Sequence, residues 1–240
     1  MLKIEAKPED VGLSSAGLAA IDAAMQEHIE SGAVPGVVTL AARHGKICHV
    51  NAMGMKDIAR GEKSDANGLY RIFSMTKPVT AVAMMMLWDE GRWQPDDPIE
   101  KYLPEFKGAK VIAGMDDKGA PRFAPADHPP TLRELMTHTS GLGYGLGPRE
   151  QAEPVDVAFH DAKVWDAEDL KEMMARVGPL PLAYQPGTAW RYSIGMDVQG
   201  AIVERLTGQN YARFLRARLF EPLGMTDTAF HTPPAKADRL

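Results

Sequence analysis

The chain has 240 residues, 45% of them apolar, a formal net charge of −5 and one cysteine, Cys48. This is enough material for one substantial core or two smaller ones, the dispersed lysines and arginines form no basic stripe for nucleic acid, and a lone cysteine excludes an internal disulfide. The longest apolar run, near Pro78 to Trp88, is too short to cross a bilayer, and the N-terminal stretch lacks the apolar segment of a secretory signal, so a cytoplasmic chain without a membrane partner is expected.

In chain order, Ser14 or Ser15 caps a helix whose apolar positions are Leu18, Ile21, Met25 and Ile29, with Gly32 as the stop. Val34 to Ala42 and Lys46 to Met53 read as two strands joined by a hairpin turn at Arg43-His44-Gly45. Cys48 fits there as a small buried hydrophobe. His44 and His49 fit as turn and strand residues, since a metal site needs a tighter cluster. A loop from Lys56 to Gly68 leads to a short strand-like run, Leu69 to Phe73.

Beyond Ser74 the chain is apolar on nearly every face from Val79 to Trp88, the pattern of a helix buried all round. Pro78 is tolerated only in a first turn, so this helix begins close to Ser74, and Gly91 ends it. Ser74 and Lys77 are three apart and share a helix face, which brings the amine toward the hydroxyl. A lysine taken out of water is costly unless it is paired or loses its proton, and a neutral amine is a base. A serine beside such a lysine is the Ser-Lys form of an activated nucleophile. The same four-residue spacing also fits a capping serine and a lysine that returns to solvent.

After Gly91 the character changes. Pro95-Asp96-Asp97-Pro98 is a turn, Ile99 to Pro104 at most a short helix, and Gly108 to Pro130 is loop-rich with a short strand at Val111-Ile112. Thr131 caps a short helix carrying Leu132, Leu135 and Met136. Gly141-Leu-Gly-Tyr-Gly-Leu-Gly147 has the glycine spacing of a dinucleotide loop, but it follows a helix and precedes Pro148, so it reads as a flexible loop near a site. Helices are expected over Ala167–Val177, capped by Asp166, over Met196–Leu206, and over Tyr211–Phe220. There are no internal repeats, and no H-E-x-x-H, C-x-x-C, P-loop or G-x-S-x-G motif.

Four stretches in this order resemble the serine β-lactamase-like, penicillin-recognising superfamily. They are Ser74-Met75-Thr76-Lys77, Leu135 to Leu142, Tyr192-Ser193 ahead of an apolar helix, and Glu221 to Met225 with Thr228. The pattern is most similar to the class C branch, especially the family VIII carboxylesterases. The resemblance implies that Ser74 is the acylated nucleophile, that Lys77 takes or relays its proton, and that Tyr192 exchanges protons with nucleophile and leaving group. It makes His138 a turn-bonding residue. A phenol beside a cationic lysine ionises more easily, which suits the part given to Tyr192.

Relatives that act on penicillins or peptides have an asparagine two residues after the tyrosine, where this chain has Ile194. The substitution leans toward small short-chain esters and away from β-lactams. The family also continues past the position of Leu240 through strands that carry a third motif and a second oxyanion donor. This chain accordingly reads as a piece of a longer protein, or as one completed by a partner, with the hairpin edge and one apolar face left open. The implied architecture is α+β, with an antiparallel sheet flanked by helices (1–91 and 186–240, incomplete), a helical, loop-rich lobe (92–185), and the site between them. The leading expectation is a serine carboxylesterase acting on a small ester, with no metal or organic cofactor. A β-lactamase, D-amino-acid peptidase or transesterase of the same fold competes with it, as does a binding protein that keeps the fold without catalysis. Tyr144 and Trp165 could line an acyl pocket or simply pack.

Overall fold

The computed structural model describes residues 2–240 and divides into two compact units, Met1–Arg71 with His231–Leu240, and Ile72–Phe230. In the first unit α1 (Ser15–Glu30) begins at Ser14, whose hydroxyl accepts the Gly17 N–H at 3.2 Å. Strands β1 (Gly36–Arg43) and β2 (Lys46–Asp57) pair antiparallel, with Leu40 opposite Val50 and a bulge at Ala41/Ala42. Their turn is built on His44 and Gly45, both at positive φ, which two-residue hairpins of right-handed twist require. A short β3 (Glu62–Lys63) extends the sheet in the order β1-β2-β3, so β1 is an edge strand. The buried cluster is small: Val11, Leu18 and Cys48, with Ala6, Leu13 and Ala41 against it. The Cys48 thiol donates to the Ala41 carbonyl at 3.4 Å.

The second unit holds the large core. Helix α2 (Thr76–Asp89) packs on α6 (Gly195–Thr207), which also meets α3 (Leu132–Met136), α5 (Leu170–Val177) and α7 (Tyr211–Leu215). Met84, Leu87, Ile99, Leu135, Phe159, Ile202 and Phe214 fill the interior. The Trp93 indole N–H donates to the Met84 carbonyl at 2.7 Å, so the one polar atom of a deeply buried ring is satisfied. The α3 cap is reciprocal: Thr131 accepts from the Glu134 N–H while Glu134 accepts from the Thr131 N–H.

Several expectations are corrected. Leu69–Phe73 is not a strand: it carries no ladder, and residues 73–75 form a 3-10 turn instead. Helix α2 is not buried all round. It hides Thr80, Ala83, Met84 and Leu87, while Val82, Met85 and Trp88 are 45%, 40% and 39% exposed, an apolar face three residues apart along one side. The helix read over 167–177 starts only at Leu170, because Asp169 rather than Asp166 makes the cap, accepting from the Glu172 N–H at 2.7 Å. The strand read at Val111-Ile112 is present and longer, β4 (Lys110–Met115), and the loop-rich stretch after it holds its unpredicted partner β5 (Pro121–Pro125), the turn being made by Asp116, whose carboxylate accepts from the Lys118 and Ala120 N–H groups. A further helix, α4 (Pro154–Asp161), had no predicted counterpart; its signals are Pro154 at the first position and Val155 and Phe159 one turn apart. Residues 72–91 and 186–230 belong with the helical unit, because α2 and α6 pack on each other and on the helices around them.

Candidate functional site

Ser74 sits in the 3-10 turn Phe73–Met75 that runs directly into α2, and Lys77 is the second residue of that helix. Phe73, immediately before the serine, has φ +43°, a backbone region that costs a bulky L residue about 1–3 kcal/mol and is found where surrounding structure enforces it. Tyr192 lies just ahead of α6. All three residues belong to the Ile72–Phe230 unit, and their polar ends converge. Ser74 Oγ is 2.6 Å from Tyr192 Oη, Lys77 Nζ donates to Ser74 Oγ at 3.4 Å, and Lys77 Nζ also donates to Tyr192 Oη. The same ammonium stands 4.2 Å from the Tyr192 ring centroid.

The Lys77 hydrogen bond, then that of Ser74, holds the Tyr192 phenol below its ordinary value. A phenol whose ionisation is eased in this way and which touches a serine hydroxyl has the chemistry a general base needs. Tyr192 is 37% exposed, so the cluster opens to solvent.

Aromatic rings fix the tyrosine. His138 stacks on it at 5.0 Å and 26°, while Tyr144 meets it edge-on at 5.5 Å and 83°. Trp165 meets Tyr144 edge-on and donates its indole N–H to the Tyr144 carbonyl at 3.0 Å. The residue His138 is at φ +60°, accepts the Ser193 N–H at Nδ1, and accepts the Arg191 N–H at its carbonyl. Burial first, and the Lys77 charge second, lower its imidazole pKa, so the ring is held neutral. Burial pushes the Asp197 carboxyl, in the first turn of α6, above its ordinary value, with the Lys77 charge opposing. Ile194 is fully buried in the core, so the position that carries an asparagine in penicillin-acting relatives offers no polar group here.

Sequence reasoning placed Ser74 and Lys77 together by spacing, and Tyr192 with them by resemblance. It missed the ring stack of His138 and the packing of Tyr144 against Tyr192, because neither leaves a local signal. The glycine-rich stretch 141–147 does lie beside the site, but it is pinned in place. Gly141 and Gly145 have φ +83° and +66°, and a Cβ at Gly145 would lie 2.5 Å from Phe159 Cβ. Among the described residues no group of three or more His, Cys, Asp or Glu is placed to hold a metal ion, and no helix is long and apolar enough to cross a membrane.

The family model "Beta-lactamase" matches residues 21–240. The chain is 36% identical to Esterase EstB of Burkholderia gladioli over 93% of its own length and 54% of that protein. The solved structure of EstCE1, a hydrolase with promiscuous acyltransferase activity, superposes with a TM-score of 0.77 at 26% identity, covering 93% of this chain and 55% of that one. Simvastatin synthase (LovD) from Aspergillus terreus gives 0.77 at 26%, covering 94% and 58%. The chain spans about half the length of the curated relatives it matches. A family match over nearly the whole chain, with the predicted serine in the turn that leads into α2, leads to one assignment: this chain belongs to the Beta-lactamase family and has its fold, an antiparallel sheet with helices.

Proposed function

We propose that the protein is a serine hydrolase that forms an acyl-enzyme on Ser74, acting as a carboxylesterase on small short-chain esters. The observation that carries this reading is the convergence of Ser74 Oγ, Lys77 Nζ and Tyr192 Oη within hydrogen-bonding reach of one another. Tyr192, as phenolate, takes the Ser74 proton while Oγ forms a bond to the ester carbonyl carbon. The carbonyl oxygen becomes the oxyanion and faces the Ser74 N–H at the helix entrance. When the C–O bond breaks, the phenol returns the proton to the departing alkoxide, leaving an acyl-serine. Water repeats the sequence with the same proton carrier and releases the acid. Because Lys77 lowers the Tyr192 pKa, the phenolate is available below the pH at which an ordinary phenol ionises, and acylation quickens as pH rises through that lowered value.

An alcohol in place of water would give acyl transfer. That second reading is favoured by the similarity to LovD and by EstCE1, whose description joins hydrolysis with acyltransferase activity. The buried Ile194 argues against β-lactam or peptide substrates, and nitrocefin turnover comparable with that on a short-chain p-nitrophenyl ester would reverse this preference.

The test is the intact mass of the chain after exposure to a p-nitrophenyl alkylphosphonate. One adduct is expected on the native protein and none on Ser74→Ala, with thermal unfolding of the variant nearly unchanged. A folded chain that stays unlabelled, or labelling that survives in Ser74→Ala, sinks the proposal.

A further inference from the structure

Two loops meet at the site, and a single carboxylate joins them. In α4, Asp156 accepts the Tyr144 N–H at 2.8 Å and the Gly145 N–H at 2.9 Å through Oδ1. Its other oxygen, Oδ2, accepts from the Arg191 guanidinium, which also donates to Glu153. Arg191 is the residue before Tyr192, and Tyr144 is the ring packed edge-on against Tyr192. The Ile194 N–H donates to the Gly143 carbonyl at 3.1 Å, and so ties the same two segments a second time. The glycines make this close approach feasible: a Cβ on Gly143 would lie 2.9 Å from Asp156 Oδ1 and 3.0 Å from Phe159.

The Asp156 side chain is 14% exposed and that of Arg191 is 23% exposed. Breaking a partly buried ion pair by neutralising one partner leaves the other charge uncompensated. Burial pushes the Asp156 carboxyl up, but the two backbone N–H bonds and Arg191 outweigh it and hold the group below its ordinary value. The carboxylate is therefore charged across the working pH range.

We propose that Asp156 is a positioning residue for Tyr192, latching the glycine loop to the segment that carries the tyrosine so that the phenol meets Ser74 and Lys77. The latch is a statement about geometry; its consequence for turnover rests on the serine-hydrolase reading above. It also accounts for Gly143 and Gly145 of the glycine-rich stretch without any nucleotide.

Two readouts on Asp156→Asn test it. The first is tyrosine ionisation by ultraviolet difference spectroscopy, with Tyr192→Phe identifying which step belongs to Tyr192. The groups that face this phenol are Lys77 and Ser74 from the α2 entrance, His138, Tyr144 and Trp190, with Asp197 acting through Lys77. The native chain is expected to show one step below the ordinary phenol value. Asp156→Asn should move it upward, because the Lys77–Tyr192 contact loosens while the fold, read by circular dichroism and a cooperative melt, is retained. The second readout is the rate of Ser74 phosphonylation, expected to fall by up to about 10²-fold, the effect of roughly 1 Å misplacement.

A folded Asp156→Asn chain with both the ionisation step and the labelling rate of the parent overturns the proposal. If that variant does not fold, Arg191→Gln decides, because it leaves both backbone bonds to Asp156 in place. The same step should move in the same direction by less, and an unmoved step there overturns the latch. A native chain that never labels would fell the hydrolase reading alone, since the ionisation step still tests the latch.

Discussion

The two units differ most in what they bury. Ile72–Phe230 closes around a continuous interior from Ala83 to Phe220, with Phe159, Leu135, Ile202 and Phe214 each almost wholly hidden. The unit built on α1, β1 and β2 hides three apolar side chains, Val11, Leu18 and Cys48, and leaves Ile21, Val34 and Leu40 between 38% and 49% exposed. Apolar burial is the main favourable term in folding, so local stability is expected to follow this contrast. The catalytic candidates sit wholly within the better-packed unit. The Ser74 neighbourhood therefore draws its rigidity from α2, α6 and their neighbours, and the hairpin adds strands but little core.

The contrast can be broken most forcefully at Phe159, whose ring is fully buried and carries the Gly145 turn on its Cβ. Phe159→Ala should cost about 3–5 kcal/mol. Hydrogen exchange should show the loss across α2, α4 and α6, with amides of β1 and β2 changing little. Equal loss in the hairpin would mean the two units unfold as one.

A smaller effect is expected at Tyr211, which donates to Thr80 Oγ1 at 2.7 Å within the same core. Burial pushes its phenol up to about 12 from an ordinary 10. Between those values the folded chain keeps a proton that the unfolded chain has released, so stability is lost as pH rises through the window. The loss amounts to about 2–3 kcal/mol once complete. Tyr211→Phe should remove that alkaline slope in denaturant titrations, at a neutral-pH cost of about 1 kcal/mol for the lost hydrogen bond.

The smallest effect is predicted for Val82→Thr on the open face of α2. Although the residue lies in the most apolar run of the sequence, the change should stay within about 0.5 kcal/mol in a thermal melt of this chain. A larger cost would show that this face is covered in solution.

What the sequence disclosed follows the range of the interactions concerned. The caps at Ser14 and Thr131, the hairpin turn at His44-Gly45 and the proximity of Ser74 to Lys77 all depend on residues within a few positions of one another, and all were legible. Tyr192 is 118 residues from Ser74, and only the resemblance joined them. Nothing local marks Asp156 as the partner of Arg191, or His138 as the ring beneath Tyr192, because those contacts exist only once α3, α4 and α6 have packed. The exposed side of α2 was misread for a related reason. Hydrophobic periodicity reports which faces are apolar, and tertiary packing decides which of them is covered. Of the β4–β5 hairpin only Val111-Ile112 was legible as strand; β5 escaped notice because a proline stands at each of its ends, although it pairs with β4 along Val111↔Ala124.

One small feature of the thinner unit has a practical use. Cys48 is the chain's sole thiol, 5% exposed, with its S–H turned inward to the Ala41 carbonyl. A thiol reagent reaches it when the sheet parts or when α1 or the segment before it lifts, so its rate of reaction is a clock for that opening, read without a substitution or a label elsewhere. Run beside phosphonate capture at Ser74, it turns each unit into its own reporter: one sulfur timing the hairpin, one oxygen timing the site.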